Sequence, residues 1–219
     1  MSKTTPPRIL QFMPAYRSTM HPAVHHQLAA DARWCIERGI TCDDGWQDKL
    51  GIDLVRNWAI EEARRLEYDY LYFQDADTYG VGLVLPLLLE LALQKQAAIT
   101  AAGYLLRRVK PTLGVHPVRV NTVYQGQFAG TGMMLIDLLE INRIAEVYRG
   151  PWCKRTYVDE RHTQLGEGGD VHLCRIVAAH GGSLWIDTRI ETVHAYLDTD
   201  RLHYTPAGGE SQHSGGSTG

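Results

Sequence analysis

Two aspartates one residue apart, Asp75 and Asp77, end an apolar run in the stretch LYFQDADTYG. Carboxylates this close repel each other unless a cation lies beside them. Hard oxygen donors of this kind suit Mg²⁺ or Mn²⁺, which take one or two carboxylates and complete their shell with water and substrate phosphates. A polar turn with one aspartate capping the next helix leaves the same pattern. Placement directly after a buried strand of an α/β chain favours the chemical reading. A second acidic cluster, Gly166-Glu167-Gly168-Gly169-Asp170, stands just before a helical pattern. It reads either as a helix cap that complements the dipole or as a general base on a glycine-rich lid. His194, among apolar neighbours in IETVHAY, fits a core histidine as readily as a ligand. His21, His25 and His26 flank Pro22 and read as a solvated helix start.

These residues need elements to carry them. Arg8–Met13 is an expected first strand, ended by Pro14, and Pro22–Arg38 repeats apolar residues at helical spacing until Gly39. Ile40–Cys42 is an expected second strand running into a polar loop, Asp43-Asp44-Gly45. Ile52–Leu66 is helical, Tyr68–Gln74 is the strand that delivers the aspartates, and Leu83–Lys95 is a helix that tolerates Pro86 in its first turn. Ala98–Gly103 reads as a strand, Val118–Phe128 as β-rich, and Leu138–Val147 as a helix. Arg149–Gly169 reads as a long irregular loop, the kind that is functional or mobile. A helix over Asp170–His180 and strands over Ser183–Asp187 and Glu191–Tyr196 follow. Strands alternating with helices imply a largely parallel sheet, whose ligands bind beyond the carboxyl ends of the strands.

The composition bounds the function. With 219 residues and 44% apolar content the chain can bury one sizeable core. Lys plus Arg number 22 against 25 Asp plus Glu, a formal charge of −3, which gives no overall electrostatic footprint for nucleic acid. Cys35, Cys42, Cys153 and Cys174 show no zinc spacing and read as reduced thiols. The N-terminus has no signal-peptide pattern and no stretch reaches roughly 18 apolar residues, so a cytoplasmic protein without a membrane span is expected. Residues 1–205 are expected to form one domain, and 206–219, PAGGESQHSGGSTG, a disordered tail.

Taken in order, these motifs resemble nucleotide-sugar-dependent glycosyltransferases of the GT-A fold, close to the family 2 group. The resemblance runs from about Arg8 to Tyr196 and resembles the compact single-domain members encoded by phages and bacteria. It rests on Met13-Pro14-Ala15-Tyr16, Arg56-Asn57, Gln74-Asp75-Ala76-Asp77, the run Gly130-Thr131-Gly132-Met133-Met134-Leu135-Ile136, Glu167-Gly168-Gly169-Asp170, the 181–187 segment and Val193-His194. It implies a three-layer α/β sandwich with a mostly parallel central sheet, and a hexosyltransferase that uses a UDP- or GDP-sugar with Mn²⁺ or Mg²⁺. It further implies that Asp77 binds the ion, that Asp75 touches the ribose or the metal's water shell, and that His194 is the remaining protein ligand. Pro14, Ala15 and Tyr16 would line the base pocket, Arg56 would lie near the nucleotide, and Asp43 or Asp44 would meet the base edge. Gly130, Thr131, Gly132 and Trp152 would border sugar and acceptor. Asp170 matches the family's base, but two glycines separate it from Glu167 where the commoner pattern pairs the acids. The base therefore stays open between the two, as does inversion versus retention.

The sequence lacks the Q-x-x-R-W motif of processive synthases, so transfer of a single sugar is expected. The acceptor stays open among a modified DNA base, met by Arg107, Arg108 and Lys110, a protein and a glycan; the oligomeric state is also open. A haloacid-dehalogenase-like phosphatase is the rival chemistry, since Asp75-Ala76-Asp77-Thr78 resembles its nucleophile loop. That loop normally opens the chain, and here two βα units precede it. A catalytically inert nucleotide-sugar-binding module is the non-enzymatic rival.

Overall fold

A computed structural model describes residues 5–14, 20–47, 51–103, 121–158, 165–194, 196–198 and 201–203. The chain runs β1 (Arg8–Pro14), α1 (Pro22–Glu37), β2 (Thr41–Gln47), α2 (Ile52–Arg65), β3 (Tyr70–Gln74), β4 (Thr78–Gly80), α3 (Leu85–Lys95) and β5 (Ile99–Ala102). It continues through β6 (Val123–Gln125), β7 (Met133–Asp137), α4 (Leu138–Ala145), β8 (Thr156–Tyr157), β9 (Leu165–Glu167) and α5 (Gly169–Ala179). The last elements are β10 (Leu184–Asp187), β11 (Thr192–His194), β12 (Tyr196–Asp198) and β13 (Arg201–His203).

Seven strands form one sheet in the order β2-β1-β3-β7-β5-β10-β6. β2, β1, β3, β5 and β10 run in one direction, and β7 and β6 run against it. The period of two along β3 divides its side chains between two cores. Leu71 and Phe73 join Leu10, Phe12, Val55, Ala59, Ile60, Ile141 and Leu173 under α2, α4 and α5. Tyr70 and Tyr72 join Ile9, Cys35, Leu88, Leu89, Met133 and Leu135 under α1 and α3. The result is three layers, with the central strands buried on both faces, and each fully buried large aliphatic side chain contributes about 1.5–3 kcal/mol.

The helices are set by their termini as well as their apolar faces. α1 starts with Pro22, and the ring Nδ1 of His21 accepts the Ala23 N–H at 3.2 Å. α2 carries Asp53 in its first turn and Arg64 and Arg65 in its last, complementing the dipole. α3 has no cap of its own, because Val84 stands at its N-cap; Asp31 of α1 accepts the Val84 N–H at 3.2 Å instead.

Several elements depart from the sequence reading. β2 continues through Asp43-Asp44-Gly45 to Gln47, pairing in register from Arg8↔Thr41 to Pro14↔Gln47. It is the sheet's edge strand, so its polar residues stay hydrated and discourage further pairing. β7 inserts antiparallel between β3 and β5. The expected loop 149–169 contains the short strands β8 and β9, paired antiparallel, and within it Trp152 and Cys153 are each 2% exposed between exposed neighbours. No helix among the described residues is long and apolar enough to cross a membrane. Ala15, Tyr16, Arg107, Arg108, Lys110, the tail 206–219 and the side chain of His194 lie outside the described residues.

Candidate active site

The parallel run of β2, β1 and β3 brings their carboxyl ends to one edge, where Gln47, Pro14 and Asp75 follow one another across the sheet. β7 runs the other way, so its approach, Gly130-Thr131-Gly132, reaches the same edge; Gln74 lies opposite Met133. The aspartate turn is fixed from several sides. The Asp75 N–H donates to Gly132 O at 3.0 Å, Thr78 N–H to Asp75 O at 3.2 Å, and His21 N–H to Ala76 O at 2.9 Å. Beneath it the buried Gln74 donates from Nε2 to Thr78 O and accepts the Tyr72 hydroxyl, both at 3.1 Å. The parallel stack of the His21 and Tyr79 rings, 5.5 Å apart, closes the flank.

Asp75 is 26% exposed, and its Oδ1 accepts from Nη2 of the buried Arg56 at 3.2 Å. Its carboxyl is held above the ordinary value, chiefly because burial strips its hydration. Arg56 opposes that shift, and the charges of Asp77 and Asp170 add to it. Among the described residues, the charges of Asp77 and Asp170 thus act on Asp75 against that of Arg56. That excess of negative charge, on hard oxygen donors, fits a divalent cation at Asp75 and Asp77. No group of three or more His, Cys, Asp or Glu side chains suited to a metal gathers among the described residues. The backbone nevertheless brings a further candidate close: β11 pairs antiparallel with β4, setting His194 opposite Thr78, the residue after Asp77.

The two acids at the start of α5, Glu167 just before it and Asp170 in its first turn, differ in their surroundings. Glu167 accepts two hydrogen bonds from Arg175, Nε to Oε1 at 3.0 Å and Nη2 to Oε2 at 3.1 Å, a forked pair. Arg175 Nη2 also lies 3.1 Å from His172 Nδ1, and the guanidinium can only donate, so Nδ1 accepts and Nε2 carries the proton. Nε2 then donates toward the Tyr148 hydroxyl at 3.5 Å, which donates to Pro151 O at 2.7 Å. Among the described residues Asp170 has no forked partner; its Oδ1 accepts the Val171 N–H at 2.9 Å. That carboxylate folds back over residue 168, where a Cβ would come 2.5 Å from Oδ1, so a side chain there would displace the Asp170 carboxylate.

The remaining expected site residues are distributed unevenly. Pro14 is buried at the end of β1, and Asp44 is exposed on β2, opposite Gln11. Burial and then Asp43 push the Asp44 carboxyl up, while His25 pulls it down. Gly130 is partly buried, Gly132 serves the aspartate turn, and Thr131 is 0% exposed. Trp152, expected to border sugar and acceptor, is 2% exposed: its ring belongs to the core under α2, and its Nε1–H donates to Glu61 at 2.7 Å.

The structure also adds Asp53 and Glu61, which the sequence reading passed over, and gives Asn57 a partner. Asp53, Asn57 and Glu61 recur at four-residue steps on one side of α2, and all three grip the segment 152–155. Glu61 takes the Trp152 indole. Asn57 accepts the Cys153 N–H at 2.8 Å and donates to Cys153 O at 2.7 Å. Asp53 accepts the Arg155 N–H at 2.9 Å. The spacing was present in the sequence, but nothing there named the partner segment.

No protein-family model and no curated protein matches the sequence. Solved structures do match it. A197 from STIV aligns at 15% identity over 91% of this chain and 93% of that chain, with a TM-score of 0.56. GalNAc-T7, solved with UDP, GalNAc and Mn²⁺, aligns at 10% identity over 89% of this chain, with a TM-score of 0.50. The match spans 45% of the GalNAc-T7 chain, so this chain corresponds to less than half of that one. At these identities the likeness is one of fold: the sandwich is GT-A-like.

Proposed function

We propose that the chain is a metal-dependent glycosyltransferase that moves a single sugar from a nucleoside diphosphate donor to an acceptor hydroxyl. The observation that carries this reading is the meeting of Asp75, Asp77, Arg56 and Asp170 at the carboxyl edge of a GT-A-like sheet. UDP and Mn²⁺ in the GalNAc-T7 structure agree with that donor and ion class.

In this reading Asp77 holds Mn²⁺ or Mg²⁺ with Asp75 beside it, and His194, carried opposite Thr78, completes the protein's share. The ion would supply charge neutralisation to the departing diphosphate. Arg56 favours the carboxylate form of Asp75, against the burial that raises its proton affinity. Asp170 takes the proton of the attacking acceptor hydroxyl at its carboxylate. Glu167 is the poorer base because both of its oxygens are already committed to Arg175; it holds the start of α5 instead. Pro14 and Asp44 would face the base, and Gly130 the sugar.

A thermal-shift panel of UDP-, GDP-, ADP- and dTDP-sugars, each with and without Mn²⁺, tests the reading. A ligand that binds only the folded state raises the melting temperature according to its affinity. One nucleotide class should stabilise the protein, and Mn²⁺ should be required. A phosphatase would instead cleave phosphomonoesters with no such nucleotide coupling. An inert module would show the coupling without releasing sugar or nucleotide.

A further inference from the structure

Two glycines separate Glu167 from Asp170, and the fold of Asp170 over residue 168 accounts for the first. The second answers to a side chain from another element. A Cβ at 169 would lie 2.9 Å from the Asp53 Cγ and closer still to its Oδ1. The Asp53 carboxylate therefore occupies the volume that a side chain at 169 would need. It has little room to retreat: Oδ2 accepts the Arg155 N–H at 2.9 Å, and the Arg155 guanidinium stands 3.6 Å from Oδ1. Oδ1 itself is buried without a hydrogen-bond partner among the described residues, at the end of a helix whose N-cap, Gly168, offers no side chain. An anion there complements the positive end of α5.

We propose that Asp53 is a positioning residue for the transfer reaction: from the first turn of α2 it fixes the start of α5, and through it the Asp170 carboxylate. This rests on the glycosyltransferase reading above. The glycine at 169 and the acid at 53 form a matched pair, in which the widened spacing between Glu167 and Asp170 makes room for a carboxylate from α2. Asp53 touches neither donor nor acceptor in this account. It acts through Gly169 on one side and Arg155 on the other, while Asn57 and Glu61 hold the same segment from the next turns of the helix.

The test compares Asp53→Ala, Gly169→Ala and the double variant with the unsubstituted protein. Mn²⁺-dependent nucleotide affinity and donor KM should stay within about twofold, while kcat of each single variant should fall by about tenfold or more. A base displaced by roughly an ångström costs that much without disturbing ground-state binding. Gly169→Ala must push the carboxylate aside and Asp53→Ala vacates its space, so the double variant should be no slower than the worse single one. Peptide hydrogen exchange over 153–156 and 169–172 should quicken about tenfold in Asp53→Ala, and this arm needs no turnover. Unchanged exchange, unchanged kcat, or losses that multiply in the double variant would each overturn the positioning role. Failure of the unsubstituted protein to bind any nucleotide with Mn²⁺ overturns the underlying reading instead, in a measurement where Asp53 plays no part.

Discussion

Replacing Asp31 with asparagine should stabilise this protein at neutral pH and do so progressively as the pH rises. Asp31 is 0% exposed, accepts from Gln27 Nε2 at 2.9 Å and caps α3 through the Val84 N–H. Burial outweighs those hydrogen bonds and pushes its carboxyl from 3.8 up to about 6. At about 1.36 kcal/mol per pH unit, that gap costs the folded state roughly 3 kcal/mol once the group is ionised. The sign follows from proton binding. Below 3.8 the group is protonated whether the chain is folded or not, and the penalty is absent. Between 3.8 and about 6 the folded chain binds more protons, so stability falls as pH rises, and above 6 the full penalty persists. An asparagine keeps an oxygen for Val84 and offers its amide to Gln27, whose own amide can turn to accept. Urea unfolding of Asp31→Asn and the unsubstituted protein at pH 4, 5, 6, 7 and 8 reads the effect. The variant's advantage should grow across pH 4–7 toward a ceiling of about 3 kcal/mol, roughly 6–12 °C in a chain of this size. A stability difference that does not change over that interval would refute the reasoning.

Asp170→Asn should lower kcat by about 10²–10⁴-fold while sparing Mn²⁺-dependent nucleotide binding, and Glu167→Gln should cost much less; steady-state kinetics with the donor found in the panel would show the reverse order if Glu167 were the base. Asn57→Ala removes both hydrogen bonds to the Cys153 backbone and should destabilise the protein by about 1–3 kcal/mol. It should also open the 2%-exposed Cys153 thiol to alkylation, counted by mass spectrometry, and a thiol as inert as before would show that Asn57 does not hold the segment.

Local pattern carried the reading of β1, β3, β5 and the helices, because in each the period of apolar residues states which side is buried. It also put Asp75 and Asp77 at a strand's carboxyl end, since Tyr70–Phe73 is buried on both faces and must end where polarity begins. β2 was cut short because Asp43 and Asp44 look like loop residues, and only its place at the sheet edge makes them acceptable in a strand. The five residues of β7 could not say that their neighbours are β3 and β5, or that they run antiparallel; pairing is a long-range property. Nothing local to Trp152 announces its place in the core, because its hydrogen-bond partner, Glu61, is 91 residues away. Asp53 was hidden for the same reason. An acid in the first turn of a helix already has a sufficient explanation in the dipole, and its second role depends on a glycine more than a hundred residues later.

Calorimetric titration of a nucleoside diphosphate into the protein, with and without Mn²⁺, and again with Asp77→Asn and His194→Ala, tests the central claim most directly. The account predicts that Mn²⁺ tightens nucleotide binding and that nucleotide tightens Mn²⁺ binding by the same factor, as linkage requires. It predicts that Asp77→Asn brings this factor close to one without loss of folded structure, and that His194→Ala lowers it. A coupling factor that survives in Asp77→Asn would contradict the account, because the carboxylate pair would then be a turn and not a metal site.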